Sequence, residues 1–115
     1  ALERDVSREI QDVAKRFHHV KLWRNNRGQV LLPNGGRLTY GVGPNGAADF
    51  IGYRTVTITA DMVGQRVAQF IAVESKRPGG AVRSDQQQFI DDVNDAGGTA
   101  IVAYAGLDLV HMIRK

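Results

Sequence analysis

Apolar side chains recur at helical spacing at the start of the chain. Val6, Ile10, Val13 and Phe17 fall on one stripe and predict an amphipathic helix over about residues 5–18. Residues 24–48 break that rhythm with Asn25-Asn26-Arg27-Gly28, Pro33-Asn34-Gly35-Gly36 and Gly41-Val42-Gly43-Pro44-Asn45-Gly46. These are turn signals, separated by short apolar pieces such as Val30-Leu31-Leu32, and predict a loop-rich stretch. From Asp49 to Ile58, β-branched and aromatic residues predict a strand. The chain turns at 60–64 and returns over 66–76, where Phe70-Ile71-Ala72-Val73 reads as buried strand before Arg77-Pro78-Gly79-Gly80 breaks it. Phe89, Ile90 and Val93 make the stripe of a helix from Ser84 to about Ala96, with Gly97-Gly98 as its stop. Thr99–Ala105 is a further buried strand, and Leu107–Ile113 a short final helix or strand. The order is helix, loops, two or three strands, helix, strand: a mixed α/β chain with a central sheet.

That pattern places polar residues as well as apolar ones. Side chains at i and i+2 of a strand leave the same face, so Glu74 and Lys76 point together while Val73 and Ser75 point away. If strands 49–58 and 66–76 form an antiparallel hairpin, Asp49 at the start of one comes level with Glu74 and Lys76 at the end of the other. The Ser75 main-chain carbonyl would then be close by. On the first helix Glu9 lies about 70° from the centre of the apolar stripe, on its shoulder. In the triple glutamine, Ser84 and Gln87 fit a capping box, Gln88 faces solvent and Gln86 projects near the middle of the stripe. An inward-facing glutamine needs a hydrogen-bond partner, which is either a group of a functional site or a backbone carbonyl. The choice of Gln86 over Gln87 rests on the helical face and the spacing to Phe89.

The 115 residues suit a single domain, and 43% hydrophobic content is enough for one core. No apolar run approaches the roughly 20 residues of a membrane span, and no signal-peptide pattern opens the chain. Ala1 is compatible with a removed initiator Met or with an excised domain. Cysteine is absent, which rules out disulfides and thiolate zinc sites. The net charge of +3 says less than its distribution. From Lys15 to Ala48 there is no Asp or Glu, yet Lys15, Arg16, Lys21, Arg24, Arg27 and Arg37 all lie there. A stretch of one sign favours a polyanion, the ordinary alternative being a solvated basic surface.

The remaining motifs are negative. Gly43-Pro44-Asn45-Gly46 lacks the Lys-Ser/Thr ending of a phosphate-binding loop, so no nucleotide cofactor is expected. His18, His19 and His111 have no zinc spacing and read as surface or helix-end residues. No His/Asp pattern accompanies Ser7, Ser75 or Ser84. Two carboxylates and a lysine remain. Hard oxygen ligands suit Mg²⁺, which keeps several waters, and a neighbouring ammonium can orient water and offset charge on a phosphate in transfer.

Asp49…Glu74-Ser75-Lys76 resembles the motif of the PD-(D/E)xK nuclease superfamily. Around it, Glu9-Ile10-Gln11, Trp23-Arg24-Asn25-Asn26-Arg27-Gly28, Gly46-Ala47-Ala48-Asp49 and Gln86-x-x-Phe89 follow in the order typical of VRR-NUC domains, over Ser7 to about Ala105. Ala48 stands where the family pattern often has Pro. The resemblance implies a restriction-endonuclease-like αβββαβ core, a central mixed sheet flanked by helices. It implies Glu9, Asp49, Glu74, Lys76 and Gln86 as catalytic set, and Mg²⁺ or Mn²⁺ held by Asp49, Glu74, the Ser75 carbonyl and Glu9, the last directly or through water. Lys15, Lys21, Arg24, Arg27, Arg37 and Arg77 are the expected DNA-binding residues. The expected function is junction-resolvase-like: a metal-dependent endonuclease for branched DNA, of the stand-alone viral or phage type. The resemblance further implies a homodimer in the cytoplasm of a bacterial or phage-infected cell. Leu22-Trp23 and the apolar residues of 107–113 are plausible interface material, though ordinary core is the simpler reading for most of them. A sequence-specific restriction-type nuclease and a non-catalytic nucleic-acid-binding module are the alternatives.

Overall fold

The computed structural model describes residues 2–114. Its elements run α1 (Glu3–Ala14), β1 (Val20–Arg24), β2 (Gly28–Leu31), β3 (Arg37–Tyr40), β4 (Phe50–Arg54), a 3₁₀ turn (Ala60–Met62), β5 (Ile71–Ser75), α2 (Ser84–Asp95), β6 (Thr99–Ala103) and α3 (Gly106–Ile113). The chain is thus mixed α/β. It divides into two compact units, the first ending at Arg54 and the second starting at Thr55.

The first unit is built from two antiparallel ladders. β1 pairs with β4, setting Arg24 opposite Phe50, and β2 pairs with β3, setting Leu31 opposite Arg37. The β2–β3 connection is the Pro33-Asn34-Gly35-Gly36 turn, closed by the Leu32 N–H donating to the Gly36 carbonyl at 2.7 Å. The stretch expected to be loops therefore contains a hairpin, and β1 was hidden by its Lys21 and Arg24. Helix α1 meets β1 through Ser7, whose Oγ accepts from Arg24 Nη1 at 3.1 Å. The Val6–Phe17 stripe, expected to be buried, is instead exposed, between 38% at Ile10 and 49% at Phe17.

The second unit is a β–α–β crossover. β5 and β6 run parallel, with Glu74 opposite Val102 and Ser75 opposite Ala103. Parallel neighbours need a long connection, and α2 supplies it. Ile90 and Val93 on α2 and Ala100 on β6 are its buried apolar residues. The Asn94 amide fastens helix to strand, donating to the Ala100 carbonyl at 3.1 Å and accepting the Ala100 N–H at 2.8 Å. Gly97 ends α2 in a left-handed conformation (φ 102°). Its N–H bonds the Asn94 carbonyl and the Gly98 N–H bonds that of Val93, a Schellman closure that satisfies carbonyls the helix leaves open.

The expected antiparallel hairpin between residues 49–58 and 66–76 does not form. β4 pairs with β1, β5 pairs with β6, and the segment between them carries the 3₁₀ turn rather than a tight hairpin loop. Asp49 is thus not brought level with Glu74 by strand pairing. It follows β1 instead, where its carbonyl accepts the Asn25 N–H at 2.7 Å.

Candidate functional site

Strand periodicity sets up the site in the second unit. Ala72, Glu74 and Lys76 are half-buried, whereas Ile71, Val73 and Ser75 are exposed, so the carboxylate and the amine share the less exposed face. The Lys76 N–H donates to the Ala103 carbonyl at 3.0 Å, continuing the ladder one rung past β5 and fixing the lysine backbone. Lys76 Nζ lies 3.8 Å from Glu74 Oε1, with the lysine side chain 18% exposed.

Helix α2 adds the third member. Gln86 Nε2 donates to the same Glu74 Oε1 at 2.8 Å. The other end of that amide accepts the Arg83 N–H at 3.0 Å. Gln86 is therefore the residue that reaches back to the start of α2, and the Ser84–Gln87 capping box does not form. Gln87 and Gln88 instead reach one turn along the helix, to Asp91 and Asp92. Gln86 is half-buried and Gln87 exposed. The helix start thus clamps Gln86 at one end so that the other meets Glu74. A cleft of about 340 Å³ opens here, lined by Ala72, Glu74, Arg83, Gln86 and Phe89 among others. At its rim the Arg83 guanidinium, donating to Asp85 Oδ1 at 3.1 Å, holds the exposed Asp85 carboxyl below the ordinary carboxylate range.

In the first unit Asp49 lies one residue before β4, in a polar cleft of about 430 Å³ with Arg24, Asn26, Arg27 and Tyr40. Glu9 is exposed on α1. Lys15 and Lys21 line a separate cleft between α1 and β1. Three of the expected DNA-binding arginines have partners within the unit. Arg24 bonds Ser7 and sits 5.4 Å from the Phe50 ring centre, Arg27 Nη2 donates to the Gly43 carbonyl at 2.9 Å, and Arg37 Nη1 donates to Gln29 at 3.2 Å. Arg77, in the second unit, is exposed. Sequence reasoning passed over Asn25, which at 6% exposure is the buried polar side chain of the described residues. The sequence places it in an Asn-Asn turn signal and in the Trp23–Gly28 motif of the family resemblance, with no role of its own.

Neither unit by itself gathers three or more His, Asp or Glu side chains at metal-binding distance among the described residues. The donor chemistry nevertheless suits a hard cation. Both contacts to Glu74 go to Oε1, and Oε2 has no hydrogen-bond or ion-pair partner among the described residues. Magnesium takes one or two carboxylates and fills its remaining positions with water and substrate oxygen.

The family described as the VRR-NUC domain matches this chain over residues 2–106, across both units. No curated protein and no solved structure matches it. No helix of the described residues is long and apolar enough to cross a membrane.

Proposed function

The chain belongs to the VRR-NUC family of the PD-(D/E)xK superfamily, a nuclease family, and on that premise we propose a divalent-metal-dependent endodeoxyribonuclease that cuts branched or structured DNA. The observation that carries this reading is the convergence of Lys76 Nζ and Gln86 Nε2 on one oxygen of Glu74. With the amide and the ammonium both on Oε1, the second carboxylate oxygen is left for another ligand.

Superfamily members typically use divalent metals, and here Glu74, Asp49, the Ser75 carbonyl and Glu9 would hold Mg²⁺ or Mn²⁺. When bound, the cation supplies polarisation of the phosphate and a water of lowered pKa as nucleophile. The chain's own residues do the rest. Glu74 provides fixed negative charge on the sheet face, Gln86 keeps that carboxylate in one rotamer, and Lys76 places an ammonium beside it. That ammonium can orient the attacking water and offset the charge that grows on the phosphate oxygens, a preorganised interaction that costs no reorganisation as the bond breaks. Gln86 acts through Glu74 and is a positioning residue.

The family match spans both units, which supports reading them as one domain. Branched DNA needs two symmetric cuts, so a homodimer is the matching assembly. The exposed Leu107 and Ile113 on α3, and Leu22 and Trp23 on β1, are apolar surface available to it. The working compartment proposed is the cytoplasm of a bacterial or phage-infected cell, where DNA and Mg²⁺ are both at hand.

The test of substrate class is a panel of labelled linear, flap and four-way DNA with Mg²⁺ or Mn²⁺. Preferential cutting of flap or four-way DNA is expected. Equal cutting of every form would remove structure selectivity, and cutting at one linear sequence only would favour a restriction-type enzyme. Binding has its own signature. The side chains of Lys15, Lys21 and Arg77 have no hydrogen-bond or ion-pair partner among the described residues, while those of Arg24, Arg27 and Arg37 are partly committed. With about 0.9 counterions released per phosphate contact, log K against log salt should fall with a slope between about −3 and −5. Lys21→Ala should make it shallower by about 1, measured by fluorescence anisotropy in Ca²⁺. A flat salt response would count against this surface.

A further inference from the structure

We propose that Asn25 is a positioning residue for Asp49, locking the loop that delivers this carboxylate to the start of β4. The proposal rests on the reading of Asp49 as a metal ligand. Asn25 follows the last residue of β1, and its N–H donates to the Asp49 carbonyl at 2.7 Å, one rung beyond the Arg24–Phe50 pair. Its side chain spans the loop from end to end. Nδ2 donates to the Val42 carbonyl at 2.9 Å and to the Ala48 carbonyl at 3.1 Å, while Oδ1 accepts the Val42 N–H at 2.8 Å. One primary amide thus uses both donors and its acceptor on three backbone groups, two at the loop's beginning and one at its end.

The loop needs such a clamp. It contains Gly41, Gly43 and Gly46, and glycine retains more backbone freedom than any other residue. Gly41, at φ 102°, also lets the chain pass so close to Arg27 that a Cβ there would lie 2.9 Å from the Arg27 Cα. The Arg27 guanidinium adds a tie to Gly43 from the same turn. Asp49 itself is exposed and lines the cleft, while its backbone carbonyl is held by the buried Asn25. No other residue type of this size offers two donors and an acceptor in that arrangement. Aspartate has the shape but not the donors, and serine reaches at most part of the set.

The experiment measures Mn²⁺ binding by titration calorimetry on the full chain, with hydrogen exchange of the 41–49 backbone as a second readout. Asn25→Ala is compared with Asp49→Asn, and Asn25→Ser serves as the milder variant should the alanine protein not fold. Asn25→Ala is expected to speed exchange at the Val42 amide and to weaken Mn²⁺ by about tenfold, in the range found for supports behind metal ligands. Asn25→Ser should fall between it and the unsubstituted chain. A residue that only stabilised the fold would lower the melting temperature without moving the Mn²⁺ affinity. If Asp49→Asn weakens Mn²⁺ while neither Asn25 variant does, the positioning role is overturned and the reading of Asp49 stands. If Asp49→Asn has no effect on Mn²⁺, that reading fails and the positioning role with it.

Discussion

Lys76→Ala is expected to lower the single-turnover cleavage rate by about 10³-fold, roughly 4 kcal/mol in the barrier, while DNA affinity in Ca²⁺ changes less than about twofold. The separation follows from where the side chain sits. Lys76 is 18% exposed and 3.8 Å from Glu74 Oε1. It is therefore poorly placed to contribute to the long-range field that draws DNA in, and well placed to act at a phosphate bound to a cation that Glu74 would hold. Removing it leaves the carboxylate and its Gln86 partner in place, so metal binding should survive. Lys76→Arg should rescue little, because a planar guanidinium cannot replace a compact ammonium in this position. Activity within about threefold of the unsubstituted protein would remove Lys76 from the mechanism.

The second large effect is expected from Glu74→Gln. The change preserves shape and removes one charge, which separates electrostatics from packing. The neutral amide cannot hold a hard cation as a carboxylate does, and it leaves Lys76 Nζ without its ion-pair partner. Cleavage should fall by at least about 10³-fold, and Mn²⁺ affinity by tenfold or more, with little change in the far-ultraviolet dichroism. Unlike Lys76→Ala, this variant should lose metal binding and rate together. A Glu74→Gln protein that binds Mn²⁺ normally would place the metal elsewhere.

Much of the second unit was legible from periodicity alone. The alternation in Ala72-Val73-Glu74-Ser75-Lys76 fixes which side chains share a face whatever strand lies beside it, because the period of 2 belongs to the backbone. The Phe89, Ile90 and Val93 stripe likewise set the face of α2, and Gly97-Gly98 marked its end. Strand pairing was not legible. Nothing local to Asp49 or Glu74 says that β4 belongs with β1 or that β5 belongs with β6, since pairing is a property of segments far apart in the chain. The capping choice erred by one residue for a related reason. Ser84-x-x-Gln87 fits the sequence rule and Arg83-x-x-Gln86 does not, yet Gln86 is the residue that bonds the Arg83 N–H and the Glu74 carboxylate on the neighbouring strand. In the first unit, Lys21 and Arg24 broke the apolar rhythm of β1, and glycines concealed the β2–β3 hairpin. Asn25 was invisible as a clamp because its three partners are backbone groups, which carry no signature in the sequence.

The proposed function is cleavage of DNA with a divalent cation at Glu74. Its most direct test is single-turnover cleavage of an end-labelled four-way DNA by excess folded protein, with Mg²⁺ and with EDTA, for the unsubstituted chain and Glu74→Gln side by side. Products are expected only from the unsubstituted chain and only with metal. Cleavage that persists in EDTA, or equal cleavage by Glu74→Gln, would contradict it, as would no cleavage from folded protein in either Mg²⁺ or Mn²⁺.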